Sequence, residues 1–131
     1  MKPRTIALAA NLLAASLLAA SLLAATPALA HEAKGVHGGR VADAGRYHVE
    51  LVTGEGFVDV YVSDDGARPV PAKGFKATAI LVVDGKAARI ALEPVAANRL
   101  SGSTAVPLSK SPKGAVQLTA PDGSTASGRF D

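Results

Sequence analysis

The alternation of apolar and polar residues from Tyr47 onward constrains this chain more than any other feature. A period of two puts successive side chains on opposite faces of an extended strand. A helix, whose faces recur about every 3.6 residues, cannot satisfy it. Gly, Pro and Asp-Gly break the pattern at short intervals, so the strands are short and joined by tight turns. Tyr47 to Val52 reads as a strand, Thr53 to Gly56 as a turn and Phe57 to Val62 as the return strand. Asp65-Gly66 turns the chain, and Pro69 and Pro71 mark an irregular or edge segment. Lys76 to Val83 and Lys86 to Leu92 flank Asp84-Gly85, a strong two-residue hairpin signal. Arg99 to Val106 supplies a short strand or two. Gly114 to Ala120 and Ser124 to Phe130 close a last hairpin around Pro121-Asp122-Gly123.

Register follows from requiring apolar residues to face apolar residues. With Gly54-Glu55 at the first tip, Leu51 opposes Val58 and Val49 opposes Val60. With Asp84-Gly85 at the second, Leu81 opposes Ala88 and Ala79 opposes Ile90. At the third, a three-residue loop with Gly123 in the left-handed conformation sets Leu118 against Ala126. About seven short antiparallel strands, polar on one face and aliphatic on the other, predict an all-β domain over 46–131. The expected architecture is a small immunoglobulin-like β-sandwich.

Ahead of this domain, Met1 to Ala30 has the order of a secretory signal peptide. Lys2 and Arg4 form a positive start, Ile6 to Ala25 an apolar run, and Ala28-Leu29-Ala30 a small-x-small cleavage site. The competing reading is an uncut membrane anchor, because the run exceeds the usual ~7–15 residues. Its Ala and Ser content and the small residues before His31 favour cleavage. No Cys follows the run, against a lipoprotein, and no Arg-Arg pair suggests the twin-arginine route. Cleavage after Ala30 predicts an exported, periplasmic protein that begins at His31 with a flexible His- and Gly-containing arm over 31–45.

Removing 30 of 131 residues leaves 101, enough for one small domain, and takes two of the 14 Lys and Arg. The remaining 12 basic residues are balanced by 11 acidic ones. That balance gives nucleic acid or an anionic membrane little electrostatic hold, so neither is expected as a partner. The chain has no Cys and its single Met is Met1. The exported domain therefore has no disulfide, and no thiolate or thioether for Cu(I).

All three His, at 31, 37 and 48, fall early in the exported chain. At a new N-terminus, the amine and imidazole of His31 can close one chelate ring on a metal. A second imidazole, from His37 or His48, completes a three-nitrogen set suited to Cu(II) and acceptable to Zn or Ni. The plain alternative is that His31 is an accident of where the peptidase cuts. His37 precedes Gly38-Gly39, a flexible pair able to fold the arm back, although a solvated loop His is commoner. In the register above, His48 opposes Tyr61 and Glu50 opposes Asp59. Two facing carboxylates repel and invite a cation, which is a metal, His48 as imidazolium, or a neighbouring Lys or Arg. The candidate metal ligands are thus His31, His37, His48, Glu50 and Asp59. No G-x-S-x-G, Cys nucleophile or Gly-rich loop before a helix is present, so the chain is not expected to be an enzyme.

His37-Gly38-Gly39, Tyr47 to Val52, Val60 to Asp64 and Pro69-Val70 form a recognisable set. Over roughly Val36 to Glu93 the chain resembles a small β domain that occurs alone in proteobacterial periplasmic proteins. The same domain occurs near the N-terminus of periplasmic adaptors of RND-type heavy-metal efflux systems. The resemblance implies a periplasmic role in copper, zinc, cobalt or nickel handling, with His37 and His48 at the family's His positions. The chain departs from a full adaptor in lacking a long helical hairpin, a lipoyl-like segment and a Met-rich arm. The expectation is a soluble metal-binding or metal-buffering module for Cu(II) or Zn. The alternative is a protein-interaction module that docks on an efflux or envelope assembly through a sheet edge.

Overall fold

The structure, a computed structural model, describes residues 33–131. It contains nine strands and, among the described residues, no helix. These are β1 (Ala33–Lys34), β2 (Arg40–Ala44), β3 (Tyr47–Gly54), β4 (Phe57–Ser63), β5 (Lys76–Val83), β6 (Lys86–Ala96), β7 (Arg99–Ser103), β8 (Gly114–Thr119) and β9 (Thr125–Phe130). All pairings are antiparallel, in the order β1-β2-β3-β4-β7-β6-β5-β8-β9.

This is one continuous sheet, where the sequence suggested a sandwich of two. The reason lies in β6. Its first part, to Leu92, pairs with β5, and its last part, from Glu93 to Ala96, pairs with β7 across a register shift between Pro94 and Ala96. Proline is tolerated in a strand at such an irregularity. The strand thus runs past the point where Glu93-Pro94 looks like an end, and joins both halves. The sheet then curls until β9 lies against β2, where Gly128 faces Ala42 and Asp43. Among the described residues no hydrogen-bonded ladder joins these two strands, so the barrel is nearly rather than fully closed. Arg40 on β2 fastens the seam. Its guanidinium donates to the carbonyls of Pro112 and Asp131 and lies 5.2 Å from the Phe130 ring centre. Within 31–45, expected as an arm, the described residues carry β1 and β2.

Alternation decides what is inside. Val58, Val60 and Val62 of β4, Ala77, Ala79 and Leu81 of β5, and Val116 and Leu118 of β8 are buried. Val49 and Leu51, Leu92 and Leu100 add to a largely aliphatic interior, which also holds Phe75, between β4 and β5, and Phe130 from β9. Each fully buried Val or Leu contributes about 1.5–3 kcal/mol. The second and third hairpins have the expected registers, Leu81 opposite Ala88, Ala79 opposite Ile90, and Leu118 opposite Ala126. At the second tip Asp84 and Gly85 both take positive φ, as an Asp-Gly hairpin turn requires.

The first hairpin is displaced by two residues from the sequence reading. Glu55-Gly56 form its tip, so Leu51 opposes Val60 and Val49 opposes Val62. A slip of two preserves every face, and the apolar match is equally good in either register. On the outer face the consequence is large. Glu50 opposes Tyr61, His48 opposes Ser63, and Asp59 opposes Val52. The expected facing pair of Glu50 and Asp59 does not form.

Candidate functional site

Alternation along β3 turns Val49 and Leu51 inward and His48, Glu50 and Val52 outward. An outward Glu is ordinarily solvated, yet Glu50 is buried. The cover is the loop 35–39 between β1 and β2, which folds over the outer face of β3. Two internal hydrogen bonds shape it, from Gly35 N–H to the Gly39 carbonyl at 2.8 Å and from Gly38 N–H to the Gly35 carbonyl at 3.1 Å. The backbone N–H groups of His37 and Gly39 both donate to Glu50 Oε2, each at 2.9 Å. His37 Nδ1 lies 2.9 Å from Oε1 of the same carboxylate. The loop is therefore wrapped around one carboxylate, which satisfies donors that the turn leaves over.

The glycines make this possible. A Cβ at Gly35 would overlap the Glu50 carboxylate, and one at Gly39 would overlap the Leu51 carbonyl oxygen. His37 is held from its other side by Tyr61, whose ring stacks on the imidazole at 3.5 Å between centres and 9° between planes. Tyr61 reaches it because β4 places it directly across from Glu50. The carboxylate is closed off while the imidazole is not: 38% of the His37 side chain is exposed, against 7% for Glu50.

His48 stands two residues before Glu50 on the same face, about 7 Å along the strand. Its Nδ1 lies 2.8 Å from Oδ1 of Asp43, its cross-strand neighbour on β2. Together His37, His48, Glu50 and Tyr61 line a cleft of about 490 Å³, with Lys34 and Val36 among its other walls. Asp59 lies elsewhere, opposite Val52, two pairs further along β3 and β4 than Glu50 and Tyr61. It accepts a hydrogen bond from Ser101 Oγ at 2.6 Å and sits 3.8 Å from Arg99 Nη1. His31 falls outside the described residues. Of the five candidate ligands, the structure brings together His37 and Glu50 and puts His48 on the same cleft. Among the described residues, no three His, Asp or Glu side chains are grouped as a metal would need.

The sequence reading missed Asp43, the stacking role of Tyr61, and the place of Gly35 and Gly39 in the cage. The three glycines around His37 were the available signal. What they fold against lies 11 to 13 residues away, beyond any local pattern. A smaller cavity, about 220 Å³ between the β2–β3 turn and the β8–β9 loop, includes Arg46 and Asp122. Its carboxylate is already engaged. The hydroxyl and backbone N–H of Ser124 donate to Asp122, and they hold its carboxyl below the usual range.

Comparison with protein families, curated proteins and solved structures finds no match to this chain. No helix of the described residues is long and apolar enough to cross a membrane.

Proposed function

We propose that this protein is a periplasmic, non-enzymatic metal-binding or metal-buffering module serving heavy-metal homeostasis or efflux, with Cu(II) the first metal and Zn the second. One observation carries the reading: two imidazoles on one open cleft each have Nδ1 against a carboxylate, His37 on Glu50 and His48 on Asp43. Histidines that bind metal through one ring nitrogen commonly hydrogen-bond a carboxylate through the other. Nitrogen donors in this number suit Cu(II) and Zn, and the absence of sulfur after Met1 disfavours Cu(I). His37 and His48 are the ligands in this account. Removal of the leader after Ala30 adds the amine and imidazole of His31, three positions before Lys34 on the cleft wall. Asp59, engaged by Ser101 and Arg99, is no longer a candidate ligand in this reading.

Calorimetric titration of the exported protein with Cu(II), and then with Zn, tests the proposal. One equivalent binds, and His37→Ala or His48→Ala weakens binding by about tenfold or more. Affinity no tighter than that of a scrambled peptide of residues 31–48 would overturn it. Adding one residue before His31 weakens binding if the amine takes part, and an unchanged affinity removes the amine from the site.

A further inference from the structure

The two carboxylates behind the imidazoles are not equivalent. The Asp43 carboxylate is mostly exposed and, among the described residues, meets only the imidazole of His48, whereas Glu50 is buried and held by backbone N–H groups. Its Oε2 accepts two main-chain N–H groups, from His37 and Gly39. Those donors cannot be exchanged for acceptors, so the atom at the Oε2 position must accept. Only Oε1 is left for the imidazole, and an ionised carboxylate has no proton to give. The proton of that hydrogen bond therefore sits on His37 Nδ1. The stacked Tyr61 ring limits rotation of the imidazole out of this arrangement.

We propose that Glu50 is a positioning residue which fixes His37 in the Nδ1–H tautomer, leaving the Nε2 lone pair free for a divalent metal. The metal half rests on the function proposed above, and the tautomer half stands on the carboxylate cage alone. On this account Glu50 is the orienting partner behind a ligand, not an oxygen ligand itself. Its burial under the 35–39 loop suits that role, because a metal entering the cleft meets the more exposed imidazole first.

Glu50→Gln makes the proposal testable, because the amide is asymmetric where the carboxylate is not. The two backbone donors demand the amide oxygen at the Oε2 position, which turns the amide nitrogen toward His37 Nδ1 as a donor. Nδ1 then has to accept, the proton moves to Nε2, and the ligating lone pair is lost. The experiment is two-bond 1H–15N correlation of the imidazole rings in the purified, 15N-labelled protein, above the usual imidazole titration range. In the wild-type protein His37 shows a protonated Nδ1 and a bare Nε2, and in Glu50→Gln the two are exchanged. Asp43→Asn serves as the control and leaves the His37 pattern unchanged. Zn affinity, measured by competition with a chelating dye, falls about ten- to a hundredfold in Glu50→Gln.

A wild-type His37 with its proton on Nε2, or the same tautomer in both proteins, overturns the proposal. The wild-type spectrum alone decides this if Glu50→Gln does not fold. Equal Zn affinity in the two proteins despite an exchanged tautomer overturns the metal half. Absence of Zn binding by the wild-type protein, with the tautomers as stated, instead defeats the function on which that half rests.

Discussion

At Gly35 a methyl group would overlap the Glu50 carboxylate, and the same carboxylate supports two backbone N–H groups and an imidazole. A single outward Glu therefore acts as the interior of a five-residue loop. Gly35→Ala forces either the loop or the Glu50 side chain to move, and costs about 1–3 kcal/mol, the range for overfilling a packed site. Denaturant unfolding gives that cost. Amide exchange shows where it falls, with protection lost at His37 and Gly39 while the core amides of β4 and β5 keep theirs. Uniform loss of protection, or no loss of stability, would mean that the carboxylate does not organise the loop. The residues of this site were partly legible in the sequence. His37, His48 and Glu50 stood out by type, and the Gly-Gly pair announced a fold-back. The cage itself was not legible, since a buried outward carboxylate has no sequence signature separate from that of a solvated one.

Among the strands, hairpins declare themselves through their turns. Asp84-Gly85 and Pro121-Asp122-Gly123 fix their registers because each turn type admits one pairing. Gly54-Glu55-Gly56 admits two, and the structure takes the one with Gly56 at φ +80°. That choice moves Glu50 from Asp59 to Tyr61, and so replaces an expected carboxylate pair by the platform on which His37 rests. The β8–β9 loop carries a pH dependence of its own. Hydrogen bonds from the Ser124 hydroxyl and backbone N–H lower the Asp122 carboxyl in the folded loop, and unfolding removes them. The folded state thus binds fewer protons, so the loop's contribution is complete above the ordinary carboxylate range. It is lost as pH falls through the lowered folded value. A 13C titration of the Asp122 carboxyl follows this, with a midpoint below that of a free Asp and a rise toward it in Ser124→Ala. A midpoint unaffected by the Ser124 change would contradict the assignment.

The whole molecule owes its shape to two features that alternation does not encode. One is the passage of β6 through Pro94, which merges two sheets into one. The other is the approach of β2 to β9, fastened by Arg40 on the carbonyls of Pro112 and Asp131. An all-β antiparallel fold was readable from the period of two, and its nearly closed curvature was not, because side-chain alternation fixes faces and leaves strand order open. The closed form bears on function through β2. Anchored to the barrel at Arg40, it sets where the 35–39 loop ends and how that loop lies across β3. The proposed site is therefore built on strands of the barrel as well as on the loop. Electron spin echo envelope modulation of the Cu(II)-loaded protein tests this most directly, because it detects the remote nitrogen of each bound imidazole. The account predicts modulation from His37 and His48 that diminishes in His37→Ala and again in His48→Ala. Modulation unchanged when both are replaced, or none in the wild-type protein, would contradict it.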